Sequence, residues 1–148
     1  MKLLPSIFAL VCGIILTSST PFNETDPNEA GIVFFEGTWS EAQEAAKAEG
    51  KPIFLDAYAS WCGPCKVLKS RVFTDASVGA YFNENFINVK MDMERGEGRK
   101  LAQQYRVQAY PSLYFIEADG SVVKQAVGYH SSEQLLALAK SALSARKV

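Results

Sequence analysis

Residues 52–59 (PIFLDAYA) form an apolar run with almost no polar alternation, and two residues further on comes Cys62-Gly63-Pro64-Cys65. A strand that does not alternate cannot leave one face in water, so it must be covered on both sides. An open hairpin sheet is therefore excluded, and helices have to flank a central strand. The remaining sequence supplies them. Residues 40–49 (SEAQEAAKAE) are rich in helix formers, open with Ser40 and Gln43 in capping-box spacing, and stop at Gly50. A second helix is expected from about Cys62, with Cys65, Leu68 and Val72 along one side, and Asp75 caps a further short helix through Tyr81 and Phe82.

Residues 86–91 read as the next strand and residues 98–105 as the next helix. Residues 112–116 and 122–127 flank the turn Ala118-Asp119-Gly120 and read as a hairpin. Residues 131–145 close the pattern as an amphipathic helix with Leu135, Leu138 and Ala142 inward, and with Ser131 and Gln134 as another capping box. Residues 32–35 are a short apolar run at the start. This order predicts an α/β fold, a central mixed β-sheet flanked by helices on both faces.

The beginning of the chain is of a different kind. Residues 1–19 (MKLLPSIFALVCGIILTSS) carry one cation, Lys2, then an apolar run and small polar residues, the layout of a secretory signal peptide. The run is shorter than the ~20 residues that span a bilayer. Cleavage near residues 17–20 is the expectation, with an uncleaved anchor as the alternative. Cys12 lacks the small residue expected just before a lipoprotein cysteine and reads as part of the leader. Residues 20–31, with Pro21 and Pro27 among acids, read as a flexible tether, which leaves residues 32–148 as one domain. The expected location is exported, most simply the periplasm.

The charge balance, 15 Lys+Arg against 16 Asp+Glu, offers no basic excess for phosphates, so nucleic acid is not an expected partner. Once the leader is removed, two cysteines remain, Cys62 and Cys65, in a compartment where disulfides persist. Two cysteines three apart on the first turn of a helix can close a small disulfide ring. The helix start presents backbone N–H groups to the first sulfur, which lowers its pKa. Cys62 is thus the expected nucleophile and Cys65 the resolving thiol. Pro64 suits an early helical position, where its missing N–H costs nothing. A zinc site is the competing use of such a pair, but zinc wants four ligands and only His130 and scattered acids remain, so no metal is expected. A purely structural role is poor as well, because so short a loop removes little entropy from the unfolded chain.

Trp61-Cys62-Gly63-Pro64-Cys65-Lys66 after a buried strand, with Tyr110-Pro111-Ser112 far downstream, resembles the thioredoxin family over about residues 34–143. The stretches KPIFLDAYASWCGPCK and RVFTDASV further resemble exported thioredoxin-like proteins and the C-terminal periplasmic domain of transmembrane thiol:disulfide interchange proteins. The resemblance implies the thioredoxin fold and dithiol/disulfide exchange with no cofactor beyond the redox-active disulfide Cys62–Cys65. It also implies a buried acid at Asp56 whose raised pKa lets it pass a proton, through water, as Cys65 attacks. Lys90 is then either the neighbour of Asp56 on the next strand or an outward, solvated lysine. Pro111 matches the family's cis-proline, which holds a substrate strand against the disulfide. Trp61, Gly63, Pro64 and Tyr110 complete the expected substrate-binding rim.

Three features depart from or fall outside that pattern. Tyr110 is bulkier than the residue usual before the proline, the loop at residues 94–99 is long and reads as a solvated connection, and His130 has no assigned role. Gly63 and Gly128 read as sites of backbone approach, and Gly128 equally as a strand end. Gly63-Pro64 places no charge between the cysteines, which favours a reducing pair. The expected partners are disulfide-containing proteins and a membrane thiol:disulfide electron donor, with the chain itself a monomer. An oxidase or isomerase, and a thioredoxin-fold binding module or chaperone with an incidental dithiol, are the alternatives.

Overall fold

The computed structural model describes residues 30–146. The expected leader and most of the expected tether lie outside the described residues. The elements run α1 (Trp39–Glu49), β1 (Ile53–Tyr58), α2 (Gly63–Val67), a π-helical turn (Leu68–Val72), α3 (Ala76–Asn85), β2 (Ile87–Asp92), α4 (Gly98–Gln104), β3 (Ser112–Ile116), β4 (Val122–Val127) and α5 (Ser132–Ala145). The strands form one sheet in the order β2-β1-β3-β4, with β1 and β2 parallel and the other pairs antiparallel. This is a thioredoxin fold.

Strand β1 sits inside the sheet, and its alternate side chains feed two separate cores. Ile53, Leu55 and Ala57 join Trp39, Ala42, Ala46 and Leu101 beneath α1 and α4. Phe54 joins Leu68, Val72, Phe82, Phe115 and Leu135 beneath the π turn, α3 and α5. That division is the physical reason for the continuous apolar run in residues 52–59. The second core is dominated by aromatic edges: Phe54 meets Phe82 at 4.8 Å between ring centroids and Phe73 at 6.1 Å, both T-shaped. Each such pair contributes ~0.5–1.5 kcal/mol beyond its buried area.

One local expectation is corrected, and the short apolar run at residues 32–35 takes an irregular form. Helix α1 is capped by Thr38 and Glu41, not by Ser40 and Gln43: Thr38 Oγ1 accepts from Glu41 N at 3.2 Å, and Glu41 Oε2 accepts from Thr38 N at 2.7 Å. The earlier start makes Trp39 helical and buries it in the first core, while its N–H donates to Glu97 Oε2 at 2.9 Å. Residues 32–35 do not form a strand. Only Phe35 N bonds the β2 backbone, at Asn88 O (2.7 Å), and the amides of Asn83 and Asn88 hold Gly31 and Val33 in place of a ladder.

The last tether residues are tied down as well. Gly31 is buried with φ +127°, and Asn83 Nδ2 donates to its carbonyl at 3.0 Å. A Cβ at Gly79 would overlap the Gly31 backbone, so Gly79→Ala is expected to displace residues 30–35 from α3 and to cost about 1–3 kcal/mol. Urea unfolding measures the cost, and amide exchange at Ile32 and Phe35 reports the displacement. An unchanged stability would show that the segment adjusts freely.

Candidate active site

Cys62 sits where β1 has ended and the chain turns into α2. Its N–H donates to Ala59 O at 3.0 Å. It is the N-cap of α2, with extended backbone (φ −70°, ψ 114°), and its Sγ accepts from Cys65 N at 3.2 Å. Cys62 and Cys65 are joined in a disulfide with Cα atoms 5.3 Å apart. The sulfur of Cys62 thus already receives one backbone N–H of the helix start, the interaction that stabilises a thiolate once the bond is reduced. Pro64 lies in the same turn and lacks an N–H that would need a partner.

Both cysteines are nearly covered, at 2% and 5% exposure, whereas Trp61 beside them is 66% exposed. Trp61 stands edge-on to Tyr110 with ring centroids 5.9 Å apart, and half-buried Tyr110 packs against the cluster of Ala59, Cys62 and Cys65. The Tyr110-Pro111 bond is cis. Pro111 O accepts from Gly128 N at 2.8 Å, which brings the end of β4 to the proline. The structure therefore collects Trp61, Cys62, Gly63, Pro64, Cys65, Tyr110 and Pro111 around the disulfide, from two separate stretches of sequence.

Gly128 directly follows the last residue of β4, as a strand end. A Cβ at Gly63 or at Gly128 would meet nothing within 4 Å, so no other part of this chain presses on either position. Gly128 is needed for its backbone, at φ +91°, where an L side chain is strained. At Gly63 the space beside Cys62 is simply open.

Asp56 lies beneath this turn on β1, 4% exposed, with Oδ1 lacking any hydrogen-bond partner. Burial pushes its pKa up to about 7, and Lys90, its register partner on β2, offsets part of that. Both expectations for Lys90 hold in part: it faces Asp56 electrostatically, yet it is exposed, with its ammonium 4.8 Å over the Phe34 ring. Asp56 and Cys65 line one cavity of about 290 Å3, together with Lys66, Lys69, Phe73 and Lys90. A larger groove, about 580 Å3, runs between residues 30–35 and α3 and shares no residue with the disulfide.

The loop at residues 94–99 is more than a solvated connection. Glu94 Oε2 accepts from Trp61 Nε1 at 2.9 Å, and Arg99 Nε donates to Glu94 O at 2.7 Å. Sequence reasoning missed Glu94, because the pairing joins residues far apart in the chain, and an acid in a polar loop carries no local signal. Glu94→Ala is expected to loosen the indole with a stability cost within about 1 kcal/mol, since the bond is exposed. Trp61 fluorescence anisotropy checks this, with buried Trp39 as the unchanging internal reference. An indole that stays equally ordered would show that Tyr110 alone holds it. His130 precedes α5, with Nδ1 2.9 Å from Gly128 O, and takes no part in the disulfide cluster. Among the described residues, no group of three or more His, Cys, Asp and Glu side chains could hold a metal ion.

Comparison with known proteins places this geometry. A family profile described as a thioredoxin-like domain matches residues 39–143. The thiol:disulfide interchange protein DsbD of Ralstonia nicotianae is 31% identical over 123 residues, which is 79% of this chain and 20% of the relative. The chain thus spans about a fifth of that protein's length. A solution structure from Bacteroides thetaiotaomicron, provisionally assigned as a disulphide-isomerase, is 44% identical, with a TM-score of 0.70 over 80% of this chain and 98% of that one. The oxidised C-terminal domain of Neisseria meningitidis DsbD, 22% identical, shares the fold with a TM-score of 0.59 over 69% of this chain and 90% of that one.

Proposed function

Since the chain belongs to the thioredoxin-like domain family and carries a disulfide across Cys62 and Cys65, it is a thiol:disulfide oxidoreductase by family, and we propose that it works as a reductase of protein disulfides outside the cytoplasm. The reduced form acts. Cys62 thiolate attacks one sulfur of a substrate disulfide, forming a Cys62–substrate bond and expelling the other substrate sulfur, which takes up a proton. Cys65 then loses its proton to Asp56 through water and attacks Cys62 Sγ. The Cys62–Cys65 bond forms, the second substrate thiol leaves, and two electrons have passed to the substrate.

The observation that carries this reading is the shared cavity: a carboxyl poised near pH 7 opens onto the same solvent space as Cys65. An acid at its ordinary pKa would be ionised throughout and a poor return donor. Trp61, Gly63, Pro64, Tyr110 and cis-Pro111 form the rim on which an extended substrate segment lies. The oxidised chain must be re-reduced from outside, and a membrane thiol:disulfide relay is the donor that the likeness to DsbD favours. Export to the periplasm is supported by the leader pattern of residues 1–19, and among the described residues no helix is long and apolar enough to cross a membrane. The chain acts as a monomer in this reading.

Oxidase or isomerase action is the second reading, favoured by the likeness to the provisional disulphide-isomerase. Equilibration with glutathione separates the two. A potential near thioredoxin's ~−270 mV supports reduction, and one near ~−120 mV overturns it in favour of oxidation.

A further inference from the structure

The cavity beside Cys65 has a feature that disulfide exchange does not require. Lys66 and Lys69, three apart on α2 and the π turn, line it from one wall, and Lys90 of β2 lines it from the other. Among the described residues none of these three lysines is in an ion pair, and the salt bridges present lie elsewhere, at Lys51–Glu49, Arg95–Asp92 and Arg146–Glu117. The cavity's buried acidic group is Asp56, whose Oδ1 has no partner. Three lysines therefore border one hollow, with the Lys90 ammonium resting over the Phe34 ring at its edge, and the hollow's own carboxyl is Asp56. Such a hollow has an excess of positive charge and of donors, and about 290 Å3 holds a tetrahedral anion with its water.

We propose that this cavity is a binding site for a small oxyanion, held by Lys66, Lys69 and Lys90 above the Asp56 side chain. The groups facing the site are these four, Tyr58 and the disulfide-bonded Cys65. Asp56, pushed up to about 7 by burial, changes charge between about pH 6 and about pH 8.5. Burial raises the Tyr58 hydroxyl's pKa further above its ordinary 10.0, beyond that window. Anion binding is therefore linked to a proton on Asp56. Occupancy keeps that proton in place, so on the reading of Asp56 given above it slows the release step at Cys65.

Sulfate is the probe, because its charge is constant over this range. It is titrated into the oxidised full chain at fixed ionic strength, with chloride as the balancing salt, and amide shifts are followed by NMR. The expected result is a saturable response confined to residues around Asp56, Cys65, Lys69 and Lys90, about tenfold weaker at pH 8.5 than at pH 6. Lys69→Gln/Lys90→Gln is expected to weaken it at least tenfold. Asp56→Asn is expected to retain binding and lose the pH dependence. Shifts scattered over lysines elsewhere, or a response unaltered by the double variant, would overturn the site. The oxidised protein performs no exchange, so this outcome is independent of the proposed reductase activity. Failure of Cys62 chemistry in a turnover assay would leave the sulfate response untouched.

Discussion

A Cys65→Ser variant is expected to attack a protein disulfide once and then stop, accumulating one mixed disulfide per molecule through Cys62. The Cys62→Ser variant is expected to form none. Steady-state reduction falls to background in both, a loss of several orders of magnitude, because nucleophile and resolving thiol act as a unit. The reason is geometric: Cys62 Sγ is the sulfur that receives the Cys65 N–H at the helix start, whereas Cys65 lies a turn further along the helix. Trapping with a disulfide-bonded substrate under denaturing, non-reducing electrophoresis counts the adducts. Equal trapping through either cysteine would contradict the assignment. A Cys62→Ser variant with full reductase activity would instead favour a binding module with an incidental dithiol.

The second large effect belongs to Asp56. Its carboxyl rises from an ordinary 3.8 to about 7 on folding, chiefly through burial. The folded state therefore holds a proton that the unfolded state has lost. Stability falls as pH rises from about 4 to about 7, then levels off once both states are ionised. The displacement corresponds to roughly 4 kcal/mol as an upper figure. Asp56→Asn removes the penalty, so it is expected to be more stable than the parent by up to that amount at pH 8, with the difference vanishing towards pH 4. Urea unfolding at the two pH values measures it. The same substitution is expected to slow the release step by about a hundredfold, the lower end of what general-base catalysis supplies. A variant less stable than the parent at pH 8 would mean that the carboxylate is stabilised in place, contrary to its unpartnered Oδ1.

How much of this was legible beforehand depends on how local each signal is. The strand at residues 52–59, the Gly50 and Asp75 caps, the Ser131–Gln134 capping box and the Gly120 turn are written in neighbouring residues, and each appears in the structure. Asp56 is legible through the family resemblance, six residues before Cys62, with its apolar flanks Leu55 and Ala57 in support. The start of α1 was misread because burial of Trp39 and its bond to Glu97 outweighed an equally good local spacing at Ser40 and Gln43. Residues 32–35 look like a strand, yet side-chain amides from Asn83 and Asn88 replace the ladder, a choice made by residues about fifty positions away. The bond from Trp61 to Glu94 and the placing of Lys90 at the same cavity as Lys66 and Lys69 are of the same long-range kind. Sequence periodicity carries no information about them.

Every step of the proposed exchange requires the helix start to ionise Cys62 at neutral pH. That ionisation is tested most directly by titrating the thiolate ultraviolet absorbance of the reduced protein, in the parent, in Cys62→Ser, and in Asp56→Asn to remove the neighbouring carboxyl's own ionisation. One thiol is expected to ionise clearly below the ordinary ~8.5, absent from Cys62→Ser and retained in Asp56→Asn. Two thiols that both stay protonated until pH exceeds ~8.5 would contradict it.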